Sequence, residues 1–112
     1  MPVRHRMKLN QESFERVKSG ERKFEFRIND EKRKAFKLGE RIELARLPEL
    51  ETSLIVEITS LDVFANFADL HRHLPEAVSG WTEDEFVQRM HGFYTHDEEL
   101  KYGVVAIGIK LV

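Results

Sequence analysis

The sequence predicts an α+β domain: a small, mostly antiparallel, barrel-like sheet of five to six strands with two to three flanking helices. Three observations lead there. Two-residue alternation of apolar and polar side chains recurs in short segments along the chain. Helix-start signals stand at Asn10 and Thr82, with a shorter repeat at Thr95. The strands are too scattered among the helices for a regular βαβ alternation.

The elements follow in order. Val3, His5, Met7 and Leu9 alternate with Arg4, Arg6 and Lys8, a first strand with its basic residues on one face. His5 lies on the apolar side, the place for a buried histidine with a satisfied ring. Asn10 is an N-cap for a helix through Lys18, with Phe14 and Val17 as its apolar stripe and Ser19-Gly20 as its end. In the next strand Phe24, Phe26 and Ile28 alternate with Lys23, Glu25 and Arg27, so one face supplies core and the other carries charges of both signs. Asn29-Asp30 makes a turn, and Glu31 to Phe36 a helical or irregular turn. Strands over Arg41–Leu47 and Ser53–Phe64 follow, then a helix over Asn66–Leu74 with Phe67 and Leu70 inward. Leu74–Trp81 reads as a loop. Thr82 with Glu85 is a capping box that starts a helix with Phe86, Val87 and Met90 on its stripe, and Thr95 with Glu98 repeats the box over one turn. In the last strand Ala106 and Gly108 alternate with Val105, Ile107 and Ile109, which predicts a close approach on the small-residue face.

Composition narrows the function classes. The chain of 112 residues is sized for one domain over 1–112, and with no cysteine it has no disulfide or thiolate chemistry. No apolar run is long enough to span a bilayer and Met1–Arg6 lacks the character of a signal peptide, so a cytoplasmic location without membrane contact is expected. The net charge of −2 hides a split of +6 over residues 1–46 and −8 over residues 47–112. One positive face is the footprint of a phosphate or nucleic-acid binder, unless the two halves pair with each other in the fold. No glycine-rich phosphate loop is present. His71 and His73 diverge on a helix, and His91 and His96 flank Tyr94 without an obvious third ligand, so no metal and no cofactor are expected.

Taken together, the ordered motifs resemble the ASCH domain family, a branch of the PUA-like barrels. The resemblance covers nearly the whole chain. It runs from His5-Arg6-Met7-Lys8-Leu9 through Phe14 and Lys18-Ser19-Gly20, and is strongest over Gly20–Arg27. There the family signature Gly-x-Lys-x-x-Glu-x-Arg is met by Gly20, Arg22, Glu25 and Arg27. Asp30-Glu31-Lys32-Arg33, the Leu38-Gly39-Glu40 turn and the ending from Phe93-Tyr94-Thr95 to Tyr102-Gly103-Val104-Val105 also match.

The resemblance implies a cleft lined by the signature and a role with RNA or a nucleotide-like ligand, in a monomer or homodimer. Arg22, Arg27, Lys32 and Arg33 would neutralise phosphate, Glu25 would accept from a base edge, and Tyr94 would stack, with Asp30 completing the binding set. The alternative is a small hydrolase acting on an acetylated nucleoside, acetylcytidine amidohydrolase-like, or a ribonuclease, with Glu25 as base and Arg22 or Arg27 holding the developing anion. In the amidohydrolase type a lysine stands at the position of Arg22, a threonine at that of Glu25, and a glutamate further on, for which Glu76 is the counterpart. An arginine stays protonated and is no general base. Parity adds a condition. Glu25 and Arg27 share a strand face that Arg22 reaches only through a twist or bulge at the strand's start.

Overall fold

The computed structural model describes residues 2–78 and 80–112. Its elements are β1 (Val3–Leu9), α1 (Gln11–Lys18), β2 (Phe24–Ile28), α2 (Glu31–Lys34), β3 (Arg41–Arg46), β4 (Ser53–Phe64), α3 (Phe67–His73), a 3-10 turn (Pro75–Val78), α4 (Glu83–His91), α5 (His96–Tyr102) and β5 (Val104–Leu111). The five strands form one sheet in the order β1-β3-β4-β5-β2, which with the helices makes an α+β fold. The expected α+β class holds. Among the described residues there are five α-helices where two to three were expected, because the turns at Glu31 and Thr95 each close as a short helix. The β1–β3 pair is parallel, with Met7 opposite Leu44, whereas β3–β4 is antiparallel, with Ile42 opposite Val56. Strand periodicity carries no information on direction; the long connection from β1 to β3 through α1, β2 and α2 is what permits a parallel pair.

The chain divides into two compact units. One comprises Met1–Glu25, Phe36–Leu61 and Ile107–Val112; the other comprises Phe26–Ala35 and Asp62–Ala106. In the first, Asn10 caps α1 by accepting from the Ser13 N–H at 2.8 Å, and Phe14 and Val17 are buried as their spacing requires. His5 is half-buried, its Nε2 2.8 Å from Glu40 Oε1 and its ring 4.2 Å from that of Phe36, a satisfied histidine. Glu40 also accepts from the Lys37 N–H, and the His5 hydrogen bond is the main reason its pKa lies below the ordinary carboxylate value. Gly108 fulfils its expected close approach: a Cβ there would run into the hydroxyls of Ser60 and Thr59.

The second unit is aromatic. Phe86 meets Phe26 edge-on at 5.2 Å and Phe67 edge-on at 5.9 Å, and α3 packs on α4. Both capping boxes form, with the side chains of Thr82 and Thr95 accepting from the N–H groups of Glu85 and Glu98. Gly103 ends α5 at φ 69° and ψ −170°, a region open to glycine alone, and a Cβ there would stand 2.9 Å from the Phe64 carbonyl oxygen. Gly103→Ala is therefore expected to cost about 2 kcal/mol or more, from strain plus displaced backbone. Urea denaturation measures it, and a variant as stable as the parent would show that this turn relaxes freely.

Candidate functional site

The signature begins where α1 stops. Ser19 is the C-cap, Gly20 takes φ 83°, and its N–H bonds the Val17 carbonyl at 3.0 Å. The chain then folds back, the Arg22 N–H reaching the Arg16 carbonyl at 3.0 Å, before β2 starts at Phe24. Arg22 thus lies ahead of the strand, and the alternation of β2 does not dictate its direction.

Its guanidinium is held by at least three groups. Nε donates to the Phe24 carbonyl at 2.9 Å, Nη1 to Ser13 Oγ at 2.8 Å, and Nη2 pairs with Glu25 Oε1 at 2.9 Å. Glu25 is 5% exposed, so the charge read as an outer-face residue is buried. Arg22 and Glu25 are therefore brought together, and no bulge inside β2 is needed.

Beside this pair is an open groove of 430 Å³. Its lining combines three cations, Arg22, Lys23 and Lys110, with apolar side chains that include Val17, Phe24 and Ile109. A backbone bond of 2.9 Å from the Ile109 N–H to the Lys23 carbonyl joins the two sides. Lys110 is exposed, with Glu57 3.8 Å away, a loose pair that leaves the ammonium largely in water. Glu25 is not part of the groove lining. Lys23, which reads in sequence only as a strand-face charge, and Lys110, near the far end of the chain, are the cations that linear reasoning did not select.

The other expected site residues belong to the second unit. Arg27 is half-buried on β2. Asp30 is the N-cap of α2, accepting from the Arg33 N–H at 3.1 Å, a structural use of its carboxylate. Lys32 is exposed on α2 and Arg33 half-buried. Tyr94 is half-buried, its ring stacked at 23° on Phe67 with centroids 6.1 Å apart, so at least one of its faces is already covered. Glu76 is exposed on the 3-10 turn. Trp81 lies under Arg89, whose guanidinium carbon is 4.6 Å from the ring centre.

A further polar cluster joins His91 and His96 through Glu99, which the linear pattern did not single out. Glu99 on α5 is 3% exposed. One carboxylate oxygen accepts from the Phe67 N–H at 2.8 Å, while the other is 2.9 Å from His91 Nε2 and 3.5 Å from His96 Nδ1. Burial pushes the Glu99 pKa up, but the Phe67 N–H, the His91 hydrogen bond and the two imidazoles outweigh it, and the carboxyl titrates below its ordinary value. The sequence offered His91 and His96 around Tyr94 as a pair without a third member, and the i, i+3 spacing of His96 and Glu99 behind the Thr95 cap was the signal for that member.

The family model for the ASCH domain matches residues 7–112. Among solved structures, hypothetical protein PH0355 is 31% identical over 96% of this chain and 98% of that one, with a TM-score of 0.83. Protein PF0455 from Pyrococcus furiosus is 29% identical over 97% of this chain and 98% of its own, with a TM-score of 0.73. A mutant of ZmASCH from Zymomonas mobilis, 12% identical over 94% of this chain and 66% of that chain, shares the fold at a TM-score of 0.65. No curated protein matches the chain. Among the described residues no helix is long and apolar enough to cross a membrane.

Proposed function

This chain belongs to the ASCH domain family, and we propose from that premise that it binds single-stranded RNA or a nucleotide-like ligand at its Gly20–Arg27 signature. ASCH domains are generally RNA-binding. The observation that carries the proposal for this chain is the groove: Gly20, Arg22, Lys23 and Phe24 of the signature form one wall of it, and Lys110 adds a third cation. Cations beside apolar and aromatic side chains suit a strand of nucleic acid, since phosphates seek the cations and unstacked bases seek the apolar surface. In this reading Arg22 and Glu25 hold the wall in place. Arg27, Lys32 and Arg33 are assigned further phosphate contacts, Asp30 the positioning of α2, and Tyr94 a stacking contact.

The hydrolase alternative is less well supported. A general base must reach water or substrate, whereas Glu25 is buried and accepts from Arg22 at 2.9 Å.

The test is fluorescence anisotropy of labelled single-stranded RNA at low and moderate salt, comparing the parent with Lys23→Glu/Lys110→Glu. Both side chains are exposed, so the fold should survive. The double variant should bind at least about tenfold more weakly, and its log–log salt slope should shrink by about 1.4, at about 0.7 for each phosphate no longer neutralised. Unchanged affinity in the variant would move the ligand away from this groove, and no binding at low salt would end the RNA reading. Cleavage of the RNA during the assay would put the ribonuclease alternative first.

A further inference from the structure

We propose that His91, His96 and Glu99 form a binding site for one divalent transition-metal ion of the zinc class, with a coordination position left open to water. The proposal stands apart from the RNA reading, and no residue of the groove takes part in it.

Among the described residues these three bring one donor atom each within 4.8 Å of one another. Local structure explains the convergence. His91 is the last residue of α4, Gly92–Thr95 turns the chain, and the Thr95 capping box fixes the start of α5. His96 is then the first residue of α5, and Glu99, one turn on, lies on the same face.

The donor set of two imidazole nitrogens and one carboxylate oxygen is typical of three-ligand zinc sites and unlike the all-oxygen sets preferred by Mg²⁺ or Ca²⁺. Tetrahedral coordination at metal–ligand distances of about 2.0–2.1 Å sets donor atoms about 3.4 Å apart. The observed separations of 2.9 Å from His91 Nε2 and 3.5 Å from His96 Nδ1 to the same Glu99 oxygen bracket that value. The widest gap, within 4.8 Å, closes by turning the His96 side chain, which is 69% exposed and free to move.

Two further features separate this group from an ordinary surface ion pair. The Glu99 carboxylate is buried and its second oxygen is fixed by the Phe67 N–H at 2.8 Å, the outer-shell hydrogen bond that orients a ligating carboxylate. Two imidazoles also face a single oxygen. A proton on His91 Nε2 satisfies that oxygen well, but His96 Nδ1 at 3.5 Å gains only a long contact. An ion in place of the proton would satisfy all three donors at once. Exposure of both histidines leaves the remaining position to water.

Calorimetric titration of tag-free protein with Zn²⁺ in a weakly coordinating buffer tests the site, with Co²⁺ absorption as a second readout. One ion per chain is expected, with intense visible Co²⁺ bands of tetrahedral type. His96→Ala and His91→Ala should each weaken binding by at least about tenfold and bleach the cobalt bands. Both histidines are surface residues, so loss of fold is not the expected cause, and circular dichroism checks it. His73→Ala, outside the cluster, should bind as the parent does. Absence of Zn²⁺ binding by the parent, or binding of full strength in His96→Ala, would overturn the assignment. Displacement of Zn²⁺ by an equal concentration of Mg²⁺ would also contradict the nitrogen donors.

Discussion

Glu99→Ala should lower the stability of the metal-free protein by about 3 kcal/mol, a large share of what a domain this size holds. The carboxylate does two jobs from a nearly sealed position. It accepts from the Phe67 N–H, one of the donors that the first turn of α3 cannot satisfy within the helix, while the Asn66 side chain accepts from Asp69. It also pairs with His91 and His96. Alanine orphans the Phe67 donor where water does not reach, a cost of about 1–3 kcal/mol, and removes the charge between two imidazoles. Glu99→Gln keeps an amide oxygen for the Phe67 N–H and loses the charge, so it should fall between the two. Urea denaturation orders the three proteins. A loss under about 1 kcal/mol in the alanine variant would mean that α3 and α5 do not depend on this residue.

The same residue predicts a pH profile. A carboxyl whose pKa is depressed in the folded state stabilises the fold above its unfolded value and loses that contribution as pH falls through the folded value. For Glu99 the reference is 4.5, with the folded value below it. The advantage of the parent over Glu99→Gln should therefore shrink as the pH drops below 4.5 and through the lower folded value. Glu40 and Glu85 shift in the same direction, so both proteins weaken in acid, and the difference between them isolates Glu99.

How far the sequence could be read depended on whether the deciding partner was local. The cap at Asn10, the two capping boxes, the stripe of α1 and the small-residue face of β5 are set by neighbours a few positions away, and all were legible. Helix α2 is four charged residues, and α5 has no apolar stripe, so periodicity had nothing to detect in either. Alternation along β2 assigned Glu25 to a polar face correctly in parity and wrongly in environment, because parity says which side a residue takes and not whether that side is covered. Arg22 lies two residues ahead of β2, in the fold-back that precedes the strand, so strand parity does not set its direction. Lys110 in the groove and Phe67 behind Glu99 are contributed from far along the chain, and only the fold reveals them.

A double-mutant cycle on Arg22 and Glu25 should return a coupling energy of about 1–3 kcal/mol, which would identify the pair as the clamp that shapes the groove wall. Breaking a buried ion pair costs about 3–5 kcal/mol when one partner is lost. The Arg22 side chain is 26% exposed and that of Glu25 6%, so solvent screening reduces the expected cost of Arg22→Ala to about 2–4 kcal/mol. Arg22→Lys is the more telling change, because it restores the signature lysine. An ammonium is a point donor at the end of a flexible stem and cannot reproduce a planar fork that reaches the Phe24 carbonyl, Ser13 Oγ and Glu25 together. The lysine variant should retain the charge in the groove lining and lose about half the stability that the alanine variant loses. RNA affinity then separates the two roles of Arg22. If the residue acts on the ligand through charge, Arg22→Lys binds RNA nearly as the parent does while melting earlier. If the fork itself grips the ligand, affinity and stability fall together, and the bonds to Ser13 and Phe24 must then be exchanged for bonds to phosphate on binding.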